Sequence, residues 1–107
     1  MPDVVYHTLD GLQVTLESRN WERHIQPRHP EVTEQDIADT LTAPQRICDH
    51  RTLSTQRGYQ GSLRTRDFFH GSFPIVVVEV TNAQTGRVVT AYLTTLAYLG
   101  QQRWPSM

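Results

Sequence analysis

Two apolar, β-branched stretches in the C-terminal half constrain the fold more than any other feature of the sequence. Residues 73–80 read Phe-Pro-Ile-Val-Val-Val-Glu-Val and residues 87–94 read Arg-Val-Val-Thr-Ala-Tyr-Leu-Thr, with a polar, glycine-containing turn between them. Such a pair predicts a β-hairpin. In the second stretch, alternation predicts one apolar and one polar face, formed by Val89, Ala91 and Leu93 and by Thr90, Tyr92 and Thr94, respectively.

The N-terminal half predicts a second hairpin and two helices. Asp10-Gly11 lies between two alternating stretches, which is a strong hairpin signal. Trp21 and Ile25 are four residues apart and indicate a helix at about residues 19–28, which Pro27 limits. A further helix begins at a Thr33-Glu-Gln-Asp36 capping box and ends at Pro44.

The remaining segments are predicted from weaker signals. Residues 45–50 and 62–69 are predicted to be strands, residues 51–62 a polar loop, and the tail from Gly100 irregular. The resulting order predicts a single α+β domain over residues 1–107. In it, an N-terminal hairpin and two helices are packed on an antiparallel sheet of about four strands.

Composition narrows the class of protein. No apolar run approaches the roughly 20 residues of a membrane-spanning helix, so no membrane association is expected. The start, Met-Pro-Asp-Val-Val, shows no secretory signal pattern. The single cysteine, Cys48, cannot form an internal disulfide, which favours a core position and a reducing cytoplasm.

Charge is distributed unevenly although the net charge is only −1. Residues 1–45 contain three arginines and eight acidic residues, whereas residues 46–70 contain five arginines and two aspartates. All ten basic residues are arginine, which forms forked contacts with phosphate. The basic middle segment therefore indicates an anionic ligand, and a solvated loop explains the same charges equally well.

The stretch 18–31 (Ser-Arg-Asn-Trp-Glu-Arg-His-Ile-Gln-Pro-Arg-His-Pro-Glu) carries the clearest candidate chemistry. His24 and Arg28 are four residues apart and share a helix face, and His29 follows at the helix exit. Histidine can take up and return a proton, and arginine can hold a phosphate. RNA cleavage by the 2′-hydroxyl needs these parts and no metal. The alternative is that His24 lines the core while Arg28 and His29 are solvated.

A second polar group lies on the predicted strand 87–94. Thr90 and Tyr92 face one side, where their hydroxyls could contact a phosphate or simply face solvent. The basic segment adds candidate RNA-binding residues next to aromatic rings, namely Arg57, Arg64 and Arg66. Neither the histidine spacing nor the single cysteine matches a zinc motif, so neither a metal nor another cofactor is predicted.

Taken in order, these motifs resemble a known nuclease group. The stretches Trp21-Glu-Arg-His24-Ile25, Arg28-His29-Pro30-Glu31 and Val88-Val89-Thr90-Ala91-Tyr92 resemble the barnase–EndoU–colicin–RelE group, above all its phage-associated subfamily. The resemblance spans about residues 15–95. It implies a barnase-like fold and a metal-independent ribonuclease that acts as a toxin or phage effector on RNA, often tRNA. DNA is not an expected ligand.

The resemblance also implies roles for individual residues. His24 would be the lead acid–base residue, with Arg28, Thr90 and Tyr92 completing the catalytic set. His29 and the three arginines of the basic segment would bind substrate, and an antitoxin or immunity protein would restrain the activity. Histidine chemistry predicts a rate that falls below about pH 6. The alternatives are an inactive RNA- or protein-binding module and a structural protein that associates through an edge strand.

Overall fold

The structure is a computed structural model that describes residues 2–64, 71–96 and 100–105. Within these ranges the chain forms seven strands, β1 (Val4–His7), β2 (Gln13–Leu16), β3 (Arg46–Asp49), β4 (Gln56–Gln60), β5 (Phe73–Val80), β6 (Thr85–Thr94) and β7 (Gln102–Trp104). The first helix covers residues 18–28 and the second helix is Glu34–Thr42. None of the helices in these ranges is long and apolar enough to cross a membrane.

All seven strands join one mixed sheet in the order β1-β2-β6-β5-β4-β3-β7. Strands β2 and β6 run parallel, and every other neighbouring pair is antiparallel. The predicted α+β, barnase-like arrangement of two helices on an antiparallel sheet of about four strands is therefore wrong. The protein is mostly β, with two short helices on a seven-stranded sheet.

The difference arises from segments whose local sequence gives weak strand signals. Strand β4 forms within the polar stretch 51–62 that predicts a loop, and β7 forms within the tail that predicts irregular structure. The N-terminal hairpin forms as predicted, and β2 additionally pairs with β6. Backbone hydrogen bonds hold these strands in place whatever their side chains, so polar segments can join the sheet once their neighbours are present.

One face of the sheet carries the core. Ile47, Tyr59, Val76 and Ala91 form a row of paired, fully buried residues across four strands. The two helices cover this face with their apolar side chains, Trp21 and Ile25 from the first and Ile37 and Leu41 from the second. The helices and the sheet therefore enclose one core.

A β-bulge in β6 changes which side chains face that core. Val77 pairs with Thr90 and Val78 pairs with Val88, which leaves Val89 as an extra residue on β6. A bulge of this kind shifts the in–out alternation by one position. The prediction of the polar face is therefore correct for residues 90–94, which follow the bulge. Before the bulge, Val88 and not Val89 packs in the core.

The second helix begins as predicted. The backbone N–H of Asp36 donates to Thr33 Oγ1 at 3.0 Å, and the N–H of Thr33 donates to Asp36 Oδ2 at 2.9 Å. This is a complete capping box, in which two donors of the first turn are satisfied. It fixes the chain direction just after the residues of the candidate site.

The first helix contains a π turn. Ser18–Asn20 and Gln26–Arg28 are α-helical, and Trp21–Ile25 between them is π-helical, with the N–H of Gln26 donating to the carbonyl of Trp21. Pro27 explains the wider turn, because its ring would clash with the carbonyl one turn earlier in a regular α-helix. The helix therefore continues to Arg28 with Pro27 inside it.

Candidate functional site

A groove opens between the first helix and β6, and we call it the His24 groove. It is lined by Asn20, His24, Arg28 and His29 from the helix and its exit, and by Arg87, Val89 and Thr90 from the strand. Its volume is about 340 Å³, within the range of small-molecule pockets. Most of its lining residues carry polar groups suited to an anionic ligand.

Asn20 attaches the helix to the strand. Strand β2 pairs with residues 85–87 of β6, and the helix lies against the next part of that edge. The side-chain amide Nδ2 of Asn20 donates to the carbonyl oxygen of Val88 at 2.7 Å and to that of Val89 at 3.1 Å. Because His24 follows Asn20 by one turn, this contact brings His24 to the bulge of β6.

His29 connects the helix exit to Tyr92. The two ring centroids are 5.9 Å apart with an interplanar angle of 45°. On its other side, His29 Nδ1 lies 3.5 Å from Glu31 Oε1. Burial raises the pKa of Tyr92 above its ordinary value, so its hydroxyl remains protonated and can donate to an anionic oxygen.

The structure thus brings the predicted catalytic residues to one place. His24, Arg28 and Thr90 line the groove directly, and Tyr92 adjoins it through the His29 ring. Their separation in sequence is bridged by the contact of the first helix with β6. The arrangement can supply proton transfer from imidazole and phosphate contacts from guanidinium and hydroxyl groups. The catalytic roles themselves remain predictions.

Arg57, predicted to bind substrate, lies elsewhere. It pairs with Val78 across the sheet, on the core side, whereas Thr90 faces the opposite side. Its NH1 group is 2.9 Å from Asp10 Oδ2 at the tip of the N-terminal hairpin. The structure therefore does not bring Arg57 to the His24 groove.

The carboxylate of Asp10 gathers three donors into what we call the Asp10 cluster. The hydroxyls of Thr8 and Tyr59 donate to Oδ1 at 2.6 and 2.7 Å, and Arg57 contacts Oδ2. Burial, together with the bond to Asp10, raises the pKa of Tyr59 well above its ordinary value. The cluster ties the hairpin tip to β4 across the core.

Arg64 is also placed away from the groove, in a structural contact. Its NH1 group donates to the backbone carbonyl of Glu31 at 2.9 Å and lies 3.3 Å from Asp36 Oδ2. Its side chain is only 9% exposed. Arg66, the third predicted arginine, lies outside the described residues.

Two residues of the groove, Asn20 and Arg87, are not predicted as site residues from the sequence. Asn20 precedes His24 by four residues, and that helical spacing was a usable signal. Arg87 has no such signal, because simple alternation puts it on the face opposite Thr90; the bulge at Val89 brings both to the same side. Arg87 NH1 lies 3.9 Å from Glu17 Oε1, with both side chains about half exposed.

Among the described residues, no three His, Cys, Asp or Glu side chains are grouped so that they could hold a metal ion. Cys48 is buried, and burial raises the pKa of its thiol, so the thiol is protonated at neutral pH.

No family model, curated protein or solved structure matches this chain.

Proposed function

We propose that this protein is a metal-independent endoribonuclease that cleaves RNA by attack of a 2′-hydroxyl on the adjacent phosphodiester. The products are a 2′,3′-cyclic phosphate and a 5′-hydroxyl end. The observation that carries the proposal is the convergence of His24, Arg28, His29, Arg87 and Thr90 around one groove.

Each group has a chemical task in this reaction. Neutral His24 takes the proton of the 2′-hydroxyl, which makes the oxygen a stronger nucleophile. Arg28 and Arg87 hold the non-bridging oxygens of the phosphate and stabilise the charge that builds on them. Thr90 and protonated Tyr92 add neutral donors from the strand side.

The stretches that resemble phage and toxin nucleases are the same ones that border the groove. We therefore propose a toxin or phage effector that acts on RNA, tRNA being the first candidate, in the cytoplasm. Such an activity requires restraint in the cell. An antitoxin or immunity protein with acidic groups directed at Arg28 and Arg87 would supply it by occupying the phosphate positions.

The test is cleavage of total tRNA in EDTA, with fragment ends analysed for cyclic phosphate. Wild-type protein should cut, and His24→Ala should lose about 100-fold or more of the rate while keeping its RNA affinity. His7→Ala is the matched control, because His7 is exposed on β1 and takes no part in the groove.

Two outcomes would reject the proposal. Activity that disappears in EDTA and returns with Mg²⁺ would indicate a metal-dependent mechanism. Absence of cutting across tRNA, ribosomal RNA and messenger RNA, with tight binding of one of them, would make the groove the surface of an RNA-binding module.

A further inference from the structure

We infer that His29 is the proton donor to the leaving 5′-oxygen and that Glu31 is the residue that positions it. The inference rests on the proposed function and assigns the second half of its proton transfer. From the sequence, His29 is predicted to bind substrate. Its contacts in the structure support a more specific role.

The Glu31 carboxylate lies next to one of the two ring nitrogens of His29. The Nδ1 atom lies 3.5 Å from Glu31 Oε1, and the two side chains are 33% and 19% exposed. A carboxylate at Nδ1 favours the tautomer or cation with a proton on that nitrogen and orients the ring. It leaves Nε2 as the nitrogen available to a substrate in the groove.

The His29 ring has one aromatic neighbour, and the His29 backbone is hydrogen-bonded on both sides. Tyr92 packs against it at 5.9 Å, and the backbone N–H of His29 donates to the carbonyl of Ile25 at 2.7 Å. The carbonyl of His29 accepts the N–H of Val32 at 3.1 Å, which closes a tight turn around Glu31. A ring held in this way can present the same nitrogen to successive substrates.

Glu31 is itself anchored by a buried arginine. Arg64 NH1 donates to the Glu31 carbonyl at 2.9 Å and contacts Asp36 Oδ2 at 3.3 Å. Asp36 belongs to the capping box of the second helix, so the position of Glu31 is tied to a rigid element. Arg64 therefore acts on the site indirectly, through the backbone that carries Glu31.

The step balances in protons and bonds. The O2′–P bond forms as the P–O5′ bond breaks, and His24 accepts the proton of the 2′-hydroxyl. Protonated His29 gives its Nε2 proton to the departing O5′, so the second product leaves as a neutral alcohol. Glu31 exchanges no proton in this step, and its carboxylate serves to position the His29 ring.

The experiment compares two substrates that differ in their need for an acid. One is a dinucleoside phosphate with the base found at the tRNA cut, whose alkoxide leaving group needs a proton. The other is the matching nucleoside 3′-(4-nitrophenyl phosphate), whose leaving group departs without one. Variants are His29→Ala, Glu31→Gln and Glu31→Asp, with His24→Ala for comparison and Glu34→Gln as the charge-matched control.

On the dinucleotide, His29→Ala should lower kcat about 100-fold and Glu31→Gln about 10-fold, with KM nearly unchanged. Glu31→Asp should recover part of the Glu31→Gln loss, because a carboxylate is restored. On the nitrophenyl ester both losses should shrink to within about threefold. His24→Ala should stay defective on both substrates, and Glu34→Gln should match wild type.

Equal losses on the two substrates would overturn the inference, because a folding or binding defect does not depend on the leaving group. A rise in KM without a fall in kcat would assign His29 to phosphate binding instead. If wild-type protein cuts neither RNA nor the ester, the proposed function itself fails. If wild type cuts and the leaving-group dependence is absent, only the assignment of His29 and Glu31 fails.

Discussion

The His24 groove and the Asp10 cluster both contain arginine and threonine side chains, but a carboxylate pairs with them only in the cluster. In the Asp10 cluster, one carboxylate accepts from Thr8, Tyr59 and Arg57 at 2.6 to 2.9 Å. In the groove, Arg28 makes no ion pair within the described part of the chain, and Arg87 has only a 3.9 Å contact with an exposed glutamate. The cluster pairs its charges at hydrogen-bond distance, whereas the groove arginines have no acidic partner that close among the described residues.

This difference teaches that clustering of arginines along a sequence does not identify a binding surface. Arginines of the basic segment 46–70 form hydrogen bonds within the fold. Arg46 donates to Gln102, Arg57 to Asp10 and Arg64 to Glu31. The arginines available in the groove, Arg28 and Arg87, come from outside that segment. Partners within the fold decide which cations can meet a phosphate.

The largest effect is expected from Asp10→Ala. It leaves the Tyr59, Thr8 and Arg57 donors without their shared acceptor, so the free energy of unfolding should fall by about 3 kcal/mol. Urea denaturation at pH 7 measures the loss. Cleavage per folded molecule should stay at the wild-type level, because the cluster lies on the core side of the sheet. A loss below about 1 kcal/mol would mean that the cluster is not a structural tie.

Arg28→Ala should lower the activity and leave the stability almost unchanged, the reverse of Asp10→Ala. The Arg28 side chain is exposed, so the free energy of unfolding should change by less than about 0.5 kcal/mol. Loss of a phosphate contact should lower kcat/KM for RNA about 30-fold, or about 2 kcal/mol of transition-state stabilisation. Arg51→Ala is the matched control, since Arg51 is exposed in the loop before β4. Equal effects of the two variants would remove the contrast between groove and surface.

Asn20→Ala should lower both the free energy of unfolding and the cleavage rate, because Asn20 lines the groove and also forms hydrogen bonds within the fold. Two strand carbonyls lose their side-chain donor, which should cost about 1.5 kcal/mol of unfolding free energy. The helix that carries His24 also loses its attachment, so kcat should fall while the affinity for RNA changes little. Unfolding and single-turnover cleavage on the same preparation measure both. A fall in stability alone would show that the helix keeps its position without Asn20.

The last effect is absent at neutral pH and appears only under alkaline conditions. The pKa values of Tyr59 and Tyr92 are raised in the folded state, chiefly by burial. Below the ordinary tyrosine pKa of about 10 their stabilisation is fully present, and it is lost as pH rises through the folded values. Ionisation of Tyr59 should lower the stability by up to about 1.4 kcal/mol per pH unit above 10, and ionisation of the more exposed Tyr92 by less.

Tyr59→Phe separates the contribution of that hydroxyl from general alkaline unfolding. The variant should be about 1 kcal/mol less stable at pH 7, because Asp10 loses one donor. Its stability should then fall less steeply than that of wild type between pH 10 and 11. Parallel curves for the two proteins would contradict the assigned pKa shift.

Several parts of the fold were predictable because their signals are local. The Asp10-Gly11 turn needs a residue with positive φ, and Gly11 has φ of 90°. The capping box pairs Thr33 with Asp36 through bonds that span three residues. In the site, His24 and Arg28 reach one groove because helical spacing already places them on one face.

Other parts depended on partners distant in the chain. Strand β4 has little apolar pattern of its own and is held between β3 and β5 by backbone bonds that any sequence can make. The bulge at Val89 arises where β5 and β6 are paired, and it moves Arg87 to the side of Thr90. Glu31 and Arg64 meet because the chain returns to the second helix.

Local sequence therefore specified the hairpins, the capped helix and the residues able to do chemistry, since turns, caps and helical faces involve neighbours within a few positions. Only the folded chain shows how many strands form and that β2 pairs in parallel with β6. It also shows which arginines are paired within the fold. These features depend on backbone pairing and on charge partners distant in the chain, 28 residues away for Arg64 and Asp36 and 47 for Arg57 and Asp10, which no local pattern encodes.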